Sequence, residues 1–167
     1  MSPSTAVRPA TAADREGVRA LALDNGMFGP DEMDGFDAMF DGSLDGSLEG
    51  HSWVVLEAPA GGGPLGAAYV APEPFADRVW NLLFLAVRPD GHGSGAGRTL
   101  IEHVERRLRD AGEGAARVLV VETSGTEPYA GSRAFYAARG FVEEARIREW
   151  YGPGDDKVVF WKSLTTS

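Results

Sequence analysis

Residues 87 to 98 read Val-Arg-Pro-Asp-Gly-His-Gly-Ser-Gly-Ala-Gly-Arg, with glycines at 91, 93, 95 and 97. Glycines at this density remove the β-carbons that keep a ligand away from the backbone. An apolar run from Leu82 to Val87 precedes them, and Leu100, Ile101, Val104 and Leu108 follow at helical spacing. The amides near His92, Gly93, Ser94, Gly95, Ala96, Gly97 and Arg98 therefore open a helix whose positive dipole end suits a phosphate. A second chemical residue is Glu122, which closes the apolar run ending at Val121. Open α/β sheets place their sites at such strand ends, where a carboxylate can accept a proton. It is equally a structural carboxylate for nearby amides.

Other phosphate-binding patterns fit poorly. A P-loop needs its first glycine where His92 stands and lysine where Arg98 stands. A dinucleotide fingerprint can be forced as Gly91, Gly93 and Ala96. It should, however, open the first strand–turn–helix unit and meet an acidic residue about 20 positions on. Here it lies in mid-chain, and Glu122 falls too far along.

The third pattern fits without strain. His92-Gly93-Ser94-Gly95-Ala96-Gly97, after Val87-Arg88-Pro89-Asp90, resembles the acetyl-CoA pyrophosphate loop of the GNAT superfamily of N-acetyltransferases. The family's form is Gln or Arg, two residues, Gly, one residue, then Gly or Ala; His92 takes the Gln/Arg place. Val7-Arg8-Pro9-Ala10-Thr11 resembles the family's opening strand and cap, and Phe135-Tyr136 with Gly140-Phe141 its closing signature. These motifs span nearly the whole chain in the family's order.

The resemblance implies roles for particular residues. Backbone groups at Leu85, Ala86 and Val87 would bond the pantetheine arm like an added strand, and one amide would face the thioester oxygen. Tyr136 would protonate the departing thiolate, since a prepositioned phenol of pKa about 10 can serve a thiol of pKa about 8.5. Glu122 resembles the general base of the acetyltransferases that modify ribosomal-protein N-termini; an amine of pKa about 10 is only about 0.1% neutral at pH 7 and needs one. Tyr129 stands where the family often carries an asparagine on the CoA arm, and Ser132 and Arg133 fall along the same path, as do Arg88 and Arg98. The closing hairpin, with Trp150, Tyr151, Asp155 and Asp156, is similar to one that overhangs the acceptor. Phe28, Trp80, Trp150 and Tyr151 are the expected acceptor-binding side chains.

These residues need elements to hold them. Residues 6–9 read as a strand, and Thr11, with Asp14 as capping partner, opens a helix to about Leu23. Residues 31–48 read as a poorer helix, because Gly35, Gly42 and Gly46 each cost about 1 kcal/mol relative to alanine. Strands at 52–57 and 65–70 form a hairpin over Gly61-Gly62-Gly63. Strands at 79–87 and 118–122 flank the glycine-loop helix, which acts as their crossover. A short helix at 131–139 and strands at 142–150 and 158–162 complete the chain. The expected fold is α/β (α+β by some schemes): a mixed, mostly antiparallel seven-stranded sheet with a central splayed parallel pair and about four helices, one domain over residues 1–167.

Composition narrows the function further. At 167 residues and 43% hydrophobic, a single full core is the natural expectation. No cysteine is present, so disulfides, thiolate metal sites and an acetyl-cysteine intermediate are excluded. His51, His92 and His103 lack ligand spacing, so no metal is expected. A net charge of −9 argues against nucleic acid. Residues 20–60 hold nine carboxylates and no Lys or Arg, whereas 13 of the 16 basic residues follow position 77. One half would attract a cation and the other a polyanion; the bland account is that the aspartates solvate a weak helix. Met1 to Thr5 lack a basic, then apolar, start, and no apolar run is long enough for a membrane span, so a cytoplasmic enzyme is expected. The reading reached is an acetyl-CoA-dependent N-acetyltransferase acting on a small primary amine by direct transfer in a ternary complex. A protein N terminus or lysine is the alternative acceptor, a non-catalytic CoA-binding sensor the further alternative, and a homodimer stays open.

Overall fold

The computed structural model describes residues 6–165; Met1 to Thr5, read above for a leader, lie outside them. Its strands are β1 (Val7–Pro9), β2 (Ser52–Glu57), β3 (Pro64–Pro72), β4 (Val79–Val87), β5 (Val118–Ser124), β6 (Val142–Gly152) and β7 (Asp155–Ser163). Its α-helices are α1 (Arg15–Asp24), α2 (Met33–Asp45), α3 (Ala96–Arg109) and α4 (Ala130–Ala138). The strands form one mixed sheet in the order β1-β2-β3-β4-β5-β7-β6. Strands β4 and β5 pair in parallel, in register from Val79↔Val118 to Leu82↔Val121, although both strands run further. This is the architecture the sequence led us to expect. Among the described residues no helix is long and apolar enough to cross a membrane.

Two compact units make up the chain. The first runs through Ala71 and takes in Phe84–Arg106; the second holds Pro72–Leu83 and the residues from Arg107 onward. In the first unit, β2 and β3 form the expected hairpin, Ser52↔Val70 to Glu57↔Pro64, and β1 adds to its edge. Alternation along β2 and β3 sends Trp53, Val55, Ala67 and Tyr69 into a core with Val18 and Leu21 of α1 and Met33, Phe36 and Phe40 of α2. Trp53 stacks on Tyr69 at 4.5 Å and meets Phe36, Phe40 and Phe84 edgewise or tilted. Such pairs add about 0.5–1.5 kcal/mol each beyond area burial. Gly66 lets α3 approach the sheet, since a β-carbon there would sit 2.9 Å from Leu100 Cδ1.

Helix α2 stops at Asp45 instead of continuing to Leu48. Gly46 takes the left-handed conformation at φ +83°, and the Leu48 amide turns back to Gly42 O at 3.0 Å. The glycine counted as a helix weakener is thus its terminator.

In the second unit β5 pairs antiparallel with β7, from Val118↔Ser163 to Ser124↔Lys157, and β6 lies outside β7. Here β5 runs two residues past the sequence boundary, and β7 starts three residues before it. Helix α4 packs through Tyr136 onto Phe160 and Phe141.

Candidate active site

The phosphate-type loop belongs to the first unit. After β4, Pro89–Gly91 make one 3-10 turn, with Gly91 N bonded to Arg88 O at 2.8 Å. Gly91 is a packing glycine: a β-carbon would meet Leu65 Cδ1 at 2.7 Å. Gly93 and Gly95 are required for another reason, because their φ values of +81° and +89° suit glycine alone. Ser94 folds inward and donates to Gly91 O through both its amide and its hydroxyl. The first bond of the α3 region is Thr99 N to Gly95 O, at 3.0 Å. Among the described residues the amides of Gly93, Gly95, Ala96, Gly97 and Arg98 form no backbone hydrogen bond. Five donors at a helix N-terminus, with open space where two β-carbons would stand, make a cradle that fits a diphosphate.

The exposed His92 side chain is bonded to the end of β4. Its Nε2 lies 3.0 Å from Val87 O, and since a carbonyl only accepts, Nε2 carries the proton. Asn25, which the sequence reading missed, donates to the same Val87 carbonyl at 3.1 Å and to Leu21 O at 2.8 Å. Leu85 and Val87 are half-buried and Ala86 is buried. Two of the arginines near the loop have acidic neighbours: Arg88 pairs with Asp90 and Arg98 with Glu102. Phe28 is half-buried against Phe36 and Phe84.

The second unit carries the titratable groups. Tyr136 is only 7% exposed, and its ring is packed by Phe135, Phe141 and Phe160. Burial pushes its phenol well above the ordinary value, so the hydroxyl keeps its proton. Glu122 lies on β5 opposite Val159, and Oε1 of its carboxylate is 2.9 Å from Lys157 Nζ. Lys157 is buried, and its ammonium sits 4.1 Å from the centre of the Trp150 ring. Tyr151 joins the group: partial burial raises its phenol, and the charges of Glu122 and Asp155 add to that rise, as does Tyr129. Asp155 Oδ1 accepts from Ser124 Oγ at 2.5 Å.

Arg133 ties down the strand end, its Nη1 donating to Ser124 O and Thr126 O at 2.8 Å each. Ser132 is exposed and Tyr129 half-buried at the start of α4. Trp80 is half-buried in β4, beside Leu119. The structure thus gathers Glu122, Tyr129, Trp150 and Tyr151, and adds Lys157. Sequence reasoning missed Lys157 because it placed the residue in a turn; the available signal was that Lys157 and Lys162 are the chain's two lysines. Among the described residues no cluster of His, Asp and Glu is arranged to hold a metal ion.

A mixed sheet whose parallel central strand runs into an amide-lined helix start is an α/β architecture with a backbone surface suited to phosphate. Sequence and structure comparison then narrows the class: the chain belongs to the GNAT family of acetyltransferases, whose family model matches residues 18–141. A GNAT-family protein of Desulfovibrio desulfuricans shares 31% identity, with a TM-score of 0.87, over 97% of this chain and 100% of its own. The ribosomal-protein-S18-alanine N-acetyltransferase of Escherichia coli has the same fold at 19% identity, with a TM-score of 0.76 over 98% and 96%. So does an aminoglycoside 6′-N-acetyltransferase complexed with coenzyme A, at 12% identity and a TM-score of 0.73 over 97% and 98%. Sequence comparison with curated proteins yields no match.

Proposed function

We propose that this chain moves an acetyl group from acetyl-CoA to the primary amine of a small molecule, by direct transfer in a ternary complex. The observation that carries the donor is the set of five amides, of Gly93, Gly95, Ala96, Gly97 and Arg98, that form no backbone hydrogen bond among the described residues. They would hold the diphosphate, while backbone groups of Leu85 to Val87 hold the pantetheine arm, less the Val87 carbonyl already taken by His92 and Asn25. Acetyl-CoA supplies an activated thioester, so the chain's own task is placement and proton transfer.

Glu122 accepts the acceptor amine's proton, directly or through water, on Oε2, the oxygen that Lys157 does not occupy. Tyr136, kept neutral by burial, donates its proton to the leaving sulfur. Tyr129, Trp150 and Tyr151 offer aromatic and hydroxyl contacts to an amine-bearing acceptor.

A protein acceptor, at an N terminus or a lysine, is the second reading, and one observation favours it. A closed small-molecule pocket would cover the large aromatic side chains of the acceptor side. In the structure Phe75 is fully exposed, and Trp150 and Tyr151 are 57% and 49% exposed. Calorimetry with acetyl-CoA tests the donor, and thiol release across small amines and short peptides tests the acceptor. No binding at millimolar donor ends the transferase reading; turnover on peptides alone transfers it to the second acceptor class.

A further inference from the structure

The Glu122–Lys157 pair is poorly explained by stability. Taking both charges out of water costs more than well-packed apolar residues of similar size would, so an ion pair with a buried member is weak evidence of a structural role. Lys157 is nonetheless held on several sides. It stands opposite Ser124 on β5, its Nζ reaches diagonally to Glu122 Oε1 at 2.9 Å, and the Trp150 ring covers it at 4.1 Å. The side chain of Glu122 remains about one-third exposed, while that of Lys157 is 11% exposed. The carboxylate is therefore clamped by one oxygen from its buried side, with Tyr151 as a further titratable neighbour, itself close to Asp155 and Tyr129.

We propose that Lys157 is a positioning residue for the acetyl transfer: it fixes Glu122 through Oε1, so that Oε2 alone faces the acceptor amine. The inference rests on the function proposed above. One consequence follows from the geometry. The carboxylate loses rotational freedom, which keeps the proton acceptor aligned with the attacking nitrogen.

The test compares Lys157→Met and Lys157→Arg in the full chain, each alone and with Glu122→Gln, using acetyl-CoA and the best acceptor from the amine and peptide panel. Lys157→Met is expected to lower kcat about tenfold or more, as small misplacements of catalytic groups do. The KM for acetyl-CoA should stay within about twofold, because the loop that grips the donor is untouched. Lys157→Arg should recover most of the loss. With Glu122→Gln in place, Lys157→Met should change the rate little, since there is no charged base left to position. The proposal is overturned if Lys157→Met keeps wild-type kcat, if the losses of the two single variants multiply, or if rates simply track melting temperature across the series. Wild-type protein that turns over no amine or peptide overturns the transferase reading itself, and this role with it.

Discussion

Tyr136 and Glu122 stand on opposite faces of one sheet. Tyr136 packs on Phe160, whose partner on β5 is Val121, whereas Glu122 pairs with Val159 on the alternate face. The surroundings differ accordingly: Tyr136 is buried among aromatic rings, whereas the Glu122 side chain is about one-third exposed. Tyr136→Phe should leave the packing intact and lower kcat about 100-fold, the scale of general acid catalysis. Burial raises the Tyr136 phenol, so the folded protein keeps this proton above the ordinary pKa of about 10 while the unfolded chain loses it. The resulting stability is full below about pH 10 and fades as pH rises toward the folded value. Melting curves at pH 8 and pH 11 should show wild type losing more than Tyr136→Phe. Equal losses would mean the phenol is not shifted.

The His92 imidazole bonds the Val87 carbonyl at the end of β4. Removing it in His92→Ala deletes one hydrogen bond, worth about 1 kcal/mol or roughly fivefold in an equilibrium. Acetyl-CoA affinity by calorimetry should therefore fall by about fivefold or less, because the proposed grip lies in the five amides. A loss of a hundredfold would show that the imidazole contacts the ligand.

Gly95 should be far less tolerant. Its φ of +89° is one that side chains rarely adopt, and the amide it exposes is part of the cradle. Gly95→Val strains the loop by about 1–2 kcal/mol and places methyl groups where the ligand approaches. Acetyl-CoA binding should weaken by about 5- to 30-fold as the free loop relaxes out of the strained, ligand-ready conformation, with the melting temperature changed by only a few degrees. Unchanged affinity would detach the loop from donor binding.

Much of this was legible in the sequence, for identifiable reasons. The hairpin over Gly61 to Gly63 and the strand from Val79 to Val87 are set by local alternation and turn chemistry, and both were readable. The glycine loop was readable because phosphate cradles are made of contiguous backbone. The partnership of Lys157 with Glu122 was not, since it depends on the register between strands 31 residues apart, where one step reverses every side chain. Asn25 was hidden likewise, because its target is a carbonyl 62 residues away. The end of α2 was misread because Gly46 counts as a penalty inside a helix and a benefit just after it.

Asp14 links the opening strand to the first helical turn. It takes both terminal nitrogens of Arg8, at 2.8 and 2.9 Å, and the Thr11 amide at 2.8 Å. These bonds, the Arg8 bonds foremost, hold its carboxyl below the ordinary aspartate range despite burial. A depressed carboxyl stabilises the fold above the unfolded pKa of about 3.9, and that stability is lost as pH falls through the folded value. Asp14→Asn keeps the size but loses charge-assisted bonds, which are worth about 1.5–3 kcal/mol. A melting temperature several degrees lower at pH 7 is expected, at about 2–4 °C per kcal/mol for a chain of this size. The gap between wild type and variant should stay constant from pH 7 to about pH 5, and narrow as the medium is taken below pH 4. A gap that closes near neutrality would assign the acid sensitivity to other carboxylates and leave the Arg8–Asp14 bridge as an ordinary surface pair.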